Sequence, residues 1–221
     1  SKISRENALL IQHGAGRQMI RQLAHEIKNP LGGIRGAAQL LAKQLSDDEL
    51  TEYTDVVISE TDRLAGLVDT LRGPGGPPNK QPVNVHELLE YVVRIIEAEG
   101  QKSIVFKRDY DPGLPMINLD RDQVVQALLN LVRNAVAALD GQGAITLRSR
   151  AVTYFTIGDT RHSVIASIEI ADDGPGIPFD MQDSVFYPLV TSRPEGTGLG
   201  LPAAQELLSR HGGLIEFESR P

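Results

Sequence analysis

The sequence contains no cysteine and no tryptophan, and only 5% of its 221 residues are aromatic. Without cysteine the chain has neither disulfide bridges nor thiolate metal sites, which suits a reducing compartment. No apolar run approaches the roughly 20 residues that span a bilayer, and the polar start does not resemble a secretory signal. We therefore expect a cytoplasmic protein with no membrane partner. The abrupt start in a helix-like segment is typical of a piece of a longer chain.

Positive charge is also scarce. Lysine and arginine total 22 against 29 aspartate and glutamate residues, which gives a formal net charge of -7. A surface that neutralises a nucleic acid backbone needs the opposite excess, so we expect no nucleic acid partner. A hydrophobic content of 41% is enough to give one large domain or two small ones a packed core.

A heptad pattern occupies the first part of the chain. Over residues 16–45, apolar or small residues recur every seven positions in two rows, Ile20, Ile27, Ile34 and Leu41, and Ala24, Leu31, Ala38 and Leu45. This spacing predicts a helix with a seam for partner helices. Turn residues at 46–49 and a stripe of Tyr53, Val57, Leu64, Leu67 and Leu71 predict a second helix. Because one hairpin cannot cover both stripes, we expect a homodimer with a four-helix bundle. The alternative is a hairpin that folds against its own C-terminal domain.

The sequence GPGGPP at residues 73–78 breaks any helix and divides the chain. We predict a helical domain over residues 1–73, a hinge over 74–82 and a second domain over 83–221. In the second domain the patterns predict helices at 85–99, 121–139 and 203–211, and strands at 104–107, 144–152, 164–171 and 214–217. Residues 153–163 are expected to form a hairpin loop. This order indicates an α+β sandwich with helices on one face of a mixed sheet.

The first candidate for chemistry is His25, in the run LAHEIKNPL. A neutral imidazole is a competent nucleophile at pH 7. Glu26 can orient the ring or accept its proton, and Asn29, one helical turn on, can position a water molecule. Considered alone, a histidine on an exposed helix is usually a surface residue.

Two asparagines form the second candidate. Asn130 and Asn134 are four residues apart on a predicted helix, so both amides project from one side. Amide oxygens suit magnesium, which usually binds through few protein groups together with nucleotide phosphates. The alternative is a capping or surface role for both residues.

Glycine-rich segments supply the remaining candidates. Asp172 directly follows a predicted strand, and Gly174 and Gly176 come after it, so a carboxylate can accept from an exocyclic amine while the chain passes a flat ring. In GTGLGL, which runs from Gly196 to Leu201 and opens the last predicted helix, backbone N–H groups can approach phosphate oxygens. Either segment alone is also compatible with an ordinary turn. Between them, Phe186 suggests an aromatic anchor for a lid.

These motifs stand in the order found in sensor histidine kinases, which the chain resembles from about residue 16 to its end. His25 matches the H box, Asn130 to Asn134 the N box, Asp172 to Gly176 the G1 box, Phe186 the F box and Gly196 to Gly200 the G2 box. AHEIKNPLGGIRGAAQLL and FYPLVTSRPEGTGLGL closely resemble the nitrogen-regulation members. The resemblance implies a dimeric helical phosphotransfer domain followed by a Bergerat-type ATP-binding domain. It also leads us to expect an N-terminal sensor domain and one more strand, which the 221 residues do not include.

Residue roles follow from the same resemblance. It implies that His25 is the phosphoacceptor, that Asn134 is the magnesium ligand and that Asp172 reads the adenine ring. It makes Glu26 the base for autophosphorylation. Glu26 and Asn29 together correspond to the residue pair found in kinases that also dephosphorylate their partner. The rest of the implied ATP pocket is Asn130, Gly174, Gly176, Thr191, Gly196, Thr197, Gly198, Leu199 and Gly200.

The implied function is a histidine kinase core that binds ATP with Mg²⁺, phosphorylates His25 and passes the group to an aspartate of an NtrC-like response regulator. A PII-type signalling protein is the implied regulator. A rival function is ATP hydrolysis by the same nucleotide fold. Asn130 argues against it, because those relatives have a glutamate there and an amide is a poor base. A non-catalytic dimeric scaffold is the second rival.

Overall fold

The computed structural model describes residues 23–24, 26–45, 48–72, 77–100, 103–157, 160–191, 193 and 196–220. The chain divides into a unit over Gly14–Gly75 and a unit that contains Gly76–Pro221. Among the described residues, no helix combines the length and the apolar character needed to cross a membrane.

The first unit is a pair of helices. Helix α1 covers residues 23–24 and 26–44, and α2 covers Asp48–Arg72. An ion pair joins them, since Arg35 Nε donates to Asp62 Oδ1 at 2.7 Å. Each helix buries positions seven residues apart, Ala24, Leu31 and Ala38 on α1 and Thr54, Thr61 and Val68 on α2. One of the two predicted rows of α1 therefore lies inside the hairpin.

The buried face of α2 differs from its predicted apolar stripe. The hydroxyls of Thr54 and Thr61 donate to backbone carbonyls of their own helix, at 2.7 and 2.6 Å, so they can be buried without losing a hydrogen bond. Three residues of the predicted stripe are accessible within one chain, with Tyr53 64%, Val57 43% and Leu64 43% exposed, and the side chains of Leu67 and Leu71 lie outside the described part. In the other row of α1, Ile34 is 50% and Leu41 52% exposed, while Ile27 is half-buried. Ile20 and the turn at 46–47 lie outside the described residues.

The second unit contains a mixed sheet. Its elements in chain order are β1 (Gln81–Val83), α3 (Val85–Ala98), β2 (Ile104–Asp109), β3 (Ile117–Leu119), α4 (Arg121–Ala138), β4 (Gly143–Ile157), β5 (Thr160–Asp172), α5 (Phe179–Gln182) and α6 (Gly200–Ser209). The described sheet has the order β2-β4-β5, in which β2 runs parallel to β4 and β5 antiparallel to it. β1 and β3 form a separate antiparallel pair. The predicted fold class is confirmed.

Local signals explain where the two long helices begin. The side chain of Asn84 accepts from the His86 backbone N–H at 3.0 Å and caps α3, and Asp120 caps α4 through Gln123 N–H at 3.2 Å. The apolar faces of both helices pack against β2 and β4 in one core. Its fully buried large side chains include Leu88, Leu89, Leu128, Ile145 and Leu147. Burial of each such side chain contributes about 1.5–3 kcal/mol.

Two predictions about strands were wrong. Residues 153–163 are mostly strand, because β4 continues to Ile157 and pairs with β5 out to Thr160. β-branched and aromatic residues in the run TYFTI favour strand, and the ribbon extends past the end of β2. The strand predicted at 214–217 is absent, since residues 213–220 have no strand pairing. The Ile215 N–H donates to the side-chain oxygen of Gln205 instead.

Candidate functional site

Helix α4 presents the two asparagines. Asn130 and Asn134 are both half-buried, and Asn130 Nδ2 is buried without a hydrogen-bond partner among the described residues. An unpaired buried donor costs about 1–3 kcal/mol, so this position favours an acceptor from outside the chain. Asn134 lies against the start of α6, where a Cβ on Gly200 would sit 3.3 Å from both amide atoms. A glycine at this position lets α6 approach α4 closely.

Asp172 is the last residue of β5, and the turn that follows it lies against the C-terminal end of α4. Gly174 N–H donates to Asp172 Oδ1 at 3.0 Å, which shapes the turn and leaves the carboxylate exposed. A Cβ on Gly174 would lie 3.1 Å from Ala138 Cβ and 3.2 Å from Ala138 O. The glycine therefore lets the turn contact the last residue of α4. The neighbouring Asp173 is structural, because its Oδ1 accepts from the Ala144 N–H at 2.8 Å and ties β5 to β4.

The second glycine of this turn touches the end of the chain. Gly176 has φ +76°, and a Cβ there would lie 2.9 Å from both Arg220 O and Ser219 Oγ. The Ile177 N–H donates to Ser219 Oγ at 2.7 Å. The turn after β5 is thus held by the Asp172 side chain at its start and by Ser219 at its end. Sequence reasoning missed Ser219, which no local pattern marks.

We define the lid as residues 186–199, of which 192, 194 and 195 lie outside the described residues. Phe186 at its start packs edge-to-face with Phe217, with ring centroids 6.0 Å apart, as suits the predicted aromatic anchor. Leu189 N–H donates to Gly198 O at 3.0 Å, which joins the two ends of the lid. Gly198 has φ +65°, and a Cβ on it would lie 2.6 Å from Leu189 C. Only glycine fits this junction without displacing backbone.

Inside the lid, the remaining candidates gather around one turn. Thr191 Oγ1 contacts the backbone of Arg193, and a Cβ on Gly196 would overlap that hydroxyl. Arg193 Nη2 in turn donates to the backbone carbonyl of Asn134 at 3.1 Å. Thr197 is exposed and Leu199 is buried. The lid is thereby attached to the asparagine helix, a contact that the sequence motifs did not indicate.

The start of α6 offers backbone donors. Its N-cap is Leu199, whose side chain cannot accept a hydrogen bond, and the helix begins at Gly200. Pro202 has no N–H, so the first-turn donors for which the helix itself provides no acceptor are those of Gly200 and Leu201. The positive end of the helix dipole adds to their attraction for an anion. This end of α6 suits a phosphate group.

Magnesium fits the residues present at this site. The amide oxygen of half-buried Asn134 is a ligand type that Mg²⁺ accepts, and the ion usually keeps water and phosphate oxygens as its other ligands. Its position beside the start of α6 places that oxygen close to the expected phosphates.

The histidine motif belongs to the other unit. His25 itself lies outside the described residues. Glu26 and Asn29 lie on α1, where both are exposed. The candidate nucleotide-binding residues of the second unit thus lie around α4. Glu26 and Asn29 belong to the helical unit.

One further network holds the base of α4. The Asp120 carboxylate accepts from the Asn79 N–H at 2.8 Å as well as from Gln123, and the Asp120 N–H donates to His211 Nε2 at 3.0 Å. Partial burial raises the pKa of Asp120, but the backbone donors outweigh it and hold the pKa below its usual value. The charged carboxylate joins Asn79, within the predicted hinge, to the start of α4, and the Asp120 backbone N–H joins the same point to His211, just after α6.

Two family descriptions match the chain. Residues 15–73 match the His Kinase A (phospho-acceptor) domain, and residues 119–221 match the family of histidine kinase-, DNA gyrase B- and HSP90-like ATPases.

Three similar proteins have the same name. The sensory histidine kinase/phosphatase NtrB of Vibrio alginolyticus is 50% identical over 100% of this chain and 63% of its own length. The protein of the same name from Klebsiella oxytoca is 48% identical over 100% of this chain and 63% of its length, and that from Rhodobacter capsulatus is 41% identical over 92% and 58%. The chain therefore spans less than two thirds of the length of these relatives.

Two solved structures are similar over most of the chain. Full-length ShkA in complex with AMPPNP has a TM-score of 0.58 at 26% identity, over 88% of this chain and 41% of that one. Histidine kinase ThkA in complex with the response regulator protein TrrA has a TM-score of 0.55 at 27% identity, over 90% and 56%.

Proposed function

Because this chain belongs to the sensor histidine kinase family, we propose that it binds ATP with magnesium and transfers the γ-phosphoryl group to its own His25. The observation that carries the proposal is the meeting of three elements at the asparagine helix. The buried Asn130 amide has no acceptor within the described residues, the Asn134 amide lies beside Gly200 at the start of α6, and the lid is attached to the same helix.

Each part of the site receives a role in nucleotide binding. Asp172, exposed at the end of β5, accepts a hydrogen bond from the adenine amine, and Gly174 and Gly176 let the chain pass the ring. The backbone donors at the start of α6 and in the lid bind the phosphates. Asn134 holds Mg²⁺, which neutralises charge on the phosphate oxygens when bound.

The proposed transfer needs little covalent help from the protein. The neutral imidazole of His25 attacks the γ-phosphorus, the bond to the bridging oxygen breaks, and ADP leaves. Glu26 accepts the proton that the imidazole loses. Placement of the two reactants is the main contribution of the chain, and the glycine- and proline-rich hinge permits it.

We further propose that the protein works as a cytoplasmic homodimer. The exposed apolar positions of the hairpin, such as Ile34 and Val57, would be covered by the same positions of a second copy. The phosphoryl group would pass to a response regulator of the NtrC type in nitrogen regulation, and Glu26 with Asn29 would assist its later removal. A PII-type protein is the proposed regulator.

Labelled ATP tests the transfer. With Mg²⁺, [γ-³²P]ATP should label the protein and [α-³²P]ATP should not, because only the terminal group moves. Asn134→Ala and removal of Mg²⁺ with a chelator should each abolish the label. Release of labelled phosphate without labelled protein would instead assign the chain to the ATPases of this fold.

A further inference from the structure

A groove of about 710 Å³ lies on the second unit between α3, the end of β2 and the first residue of α4. Three arginines, Arg94, Arg108 and Arg121, line it together with Glu87 and Glu90. The whole chain has a net charge of -7, so cationic side chains are concentrated here on an acidic protein. None of these residues belongs to the proposed nucleotide site.

One wall of the groove is a hydrogen-bonded network. Arg108 Nε and Nη2 donate to the two carboxylate oxygens of Glu90 at 3.0 and 3.2 Å, and the Tyr110 hydroxyl donates to the same carboxylate at 2.9 Å. Arg108 Nη1 donates to the Phe106 carbonyl at 2.9 Å. The Tyr110 ring stacks on His86, with ring centroids 4.8 Å apart. These contacts fix the wall and pair Arg108 with a carboxylate of the chain itself.

The other two arginines lie beside one tyrosine ring. The guanidinium carbons of Arg94 and Arg121 are 5.9 and 4.8 Å from the centroid of the Tyr91 ring. Such contacts hold a guanidinium group in place and leave its N–H donors available. Among the described residues, Arg94 has no ion pair, and Arg121 has only a 3.7 Å contact with Asp122, which is too long for a hydrogen bond. Both guanidinium groups can therefore pair with carboxylates from outside the chain.

Arg121 occupies a position that its own helix does not favour. It is the first residue of α4, where the positive end of the helix dipole disfavours a cation. An anion bound at this arginine would offset that repulsion. The placement of Arg121 thus favours a ligand of negative charge.

We propose that this groove binds an acidic segment of a partner protein, with two carboxylates of the segment paired with Arg94 and Arg121. The groove is open, since the side chains of Arg108 and Arg121 are 40% and 45% exposed. A small-molecule pocket usually buries most of its ligand, whereas an open groove suits an extended segment. Acidic residues on one side of such a segment are about 7 Å apart, so two of them can reach guanidinium groups that share one ring. Glu87 and Glu90 disfavour a nucleic acid backbone. Binding at this groove needs no nucleotide.

Fluorescence anisotropy tests the groove in the full chain. The probe is a fluorescein-labelled peptide of alternating glutamate and glycine, in a buffer of low ionic strength because salt screens exposed ion pairs. The same peptide with glutamine in place of glutamate should not bind. Arg94→Gln and Arg121→Gln should each weaken binding of the glutamate peptide by about two- to fivefold, and the double change by about tenfold, as expected for exposed ion pairs.

Two further variants separate the groove from general charge. Arg161→Gln also removes an exposed arginine beside a tyrosine ring, 5.6 Å from the Tyr154 centroid in the same unit, and should leave the affinity unchanged. Glu87→Gln removes a carboxylate from the groove and should strengthen binding by about twofold, because it relieves repulsion. The Glu87 variant tests the groove even if an arginine variant is unfolded.

Three results would overturn the proposal. Equal weakening by Arg161→Gln and Arg94→Gln would show that any exposed arginine serves, and equal binding of the two peptides would show that acidic residues are not recognised. Displacement of the peptide by free glutamate at the same carboxylate concentration would assign the groove to small anions and not to a partner protein. An affinity that Glu87→Gln left unchanged or weakened would place the peptide outside the groove, with the same consequence as the first result.

Discussion

Gly198 offers the sharpest structural test of the lid. Its φ is +65°, and a Cβ would lie 2.6 Å from Leu189 C and 2.7 Å from Val190 N. The left-handed conformation costs an alanine about 1–2 kcal/mol. Relief of the contact separates the ends of the lid and breaks the 3.0 Å bond from Leu189 N–H to Gly198 O, a loss of about 1 kcal/mol. Gly198→Ala thus disfavours the closed lid by about 2–3 kcal/mol, which predicts Mg-ATP binding weaker by roughly 30-fold or more.

A matched variant separates backbone conformation from the close approach. Gly141 has φ +84°, and a Cβ there would meet nothing within 4 Å. Gly141→Ala should lose about 1–2 kcal/mol of unfolding free energy for the same conformational reason, with Mg-ATP affinity within about twofold of the unaltered protein. Isothermal titration calorimetry gives the affinities and thermal unfolding gives the stabilities. If Gly198→Ala bound Mg-ATP as tightly as Gly141→Ala, the account of the lid junction would be refuted.

Three further outcomes are expected. Leu89→Ala in the fully buried core should lower the free energy of unfolding in urea by about 2–5 kcal/mol, whereas Val105→Ala, at a position 58% exposed, should change it by less than about 0.5 kcal/mol; equal losses would contradict the described core. The Arg108 guanidinium outweighs partial burial and holds the pKa of Glu90 below its usual range, so its stabilisation is present above about pH 4.3 and lost as pH falls further. Glu90→Gln should therefore flatten the acid side of the stability curve, and an unchanged acid slope would refute the pairing. Val57→Lys should convert the dimer to monomers in sedimentation velocity, and a dimer of unchanged strength would contradict the proposed covering of the hairpin stripe.

The parts of the fold that the sequence predicts well depend on short-range signals. Helices α3 and α4 follow from periodic apolar residues and from caps at Asn84 and Asp120, only a few residues away from the groups they bind. Only the outer part of the β4–β5 ribbon, within residues 153–163, was missed, because β-branched, aromatic and turn-forming residues occur together there and pairing with a second strand decides between loop and strand. Buried Thr54 and Thr61 look like surface residues in the sequence, since the bonds that permit their burial form only within the helix.

The same difference between short-range signals and contacts of distant segments applies to the candidate site. Motif order predicted the family, which is confirmed, while the roles of Asn134, Asp172 and His25 stay predictions. The supporting contacts were beyond local patterns, because Arg193 reaches a carbonyl 59 residues away in sequence and Ser219 an N–H 42 residues away. Such contacts depend on how α4, the lid and the chain end pack together, which no spacing within one segment encodes.

The central claim is that this chain phosphorylates His25, and the chemistry of the labelled protein tests it most directly. After incubation with [γ-³²P]ATP and Mg²⁺, the label should be lost in acid and retained in alkali, as expected for phosphohistidine, and His25→Gln should carry none. The His25→Gln protein should still bind mant-ATP, because the nucleotide residues lie in the other unit. An acid-stable label, or a label that persisted in His25→Gln, would contradict the account.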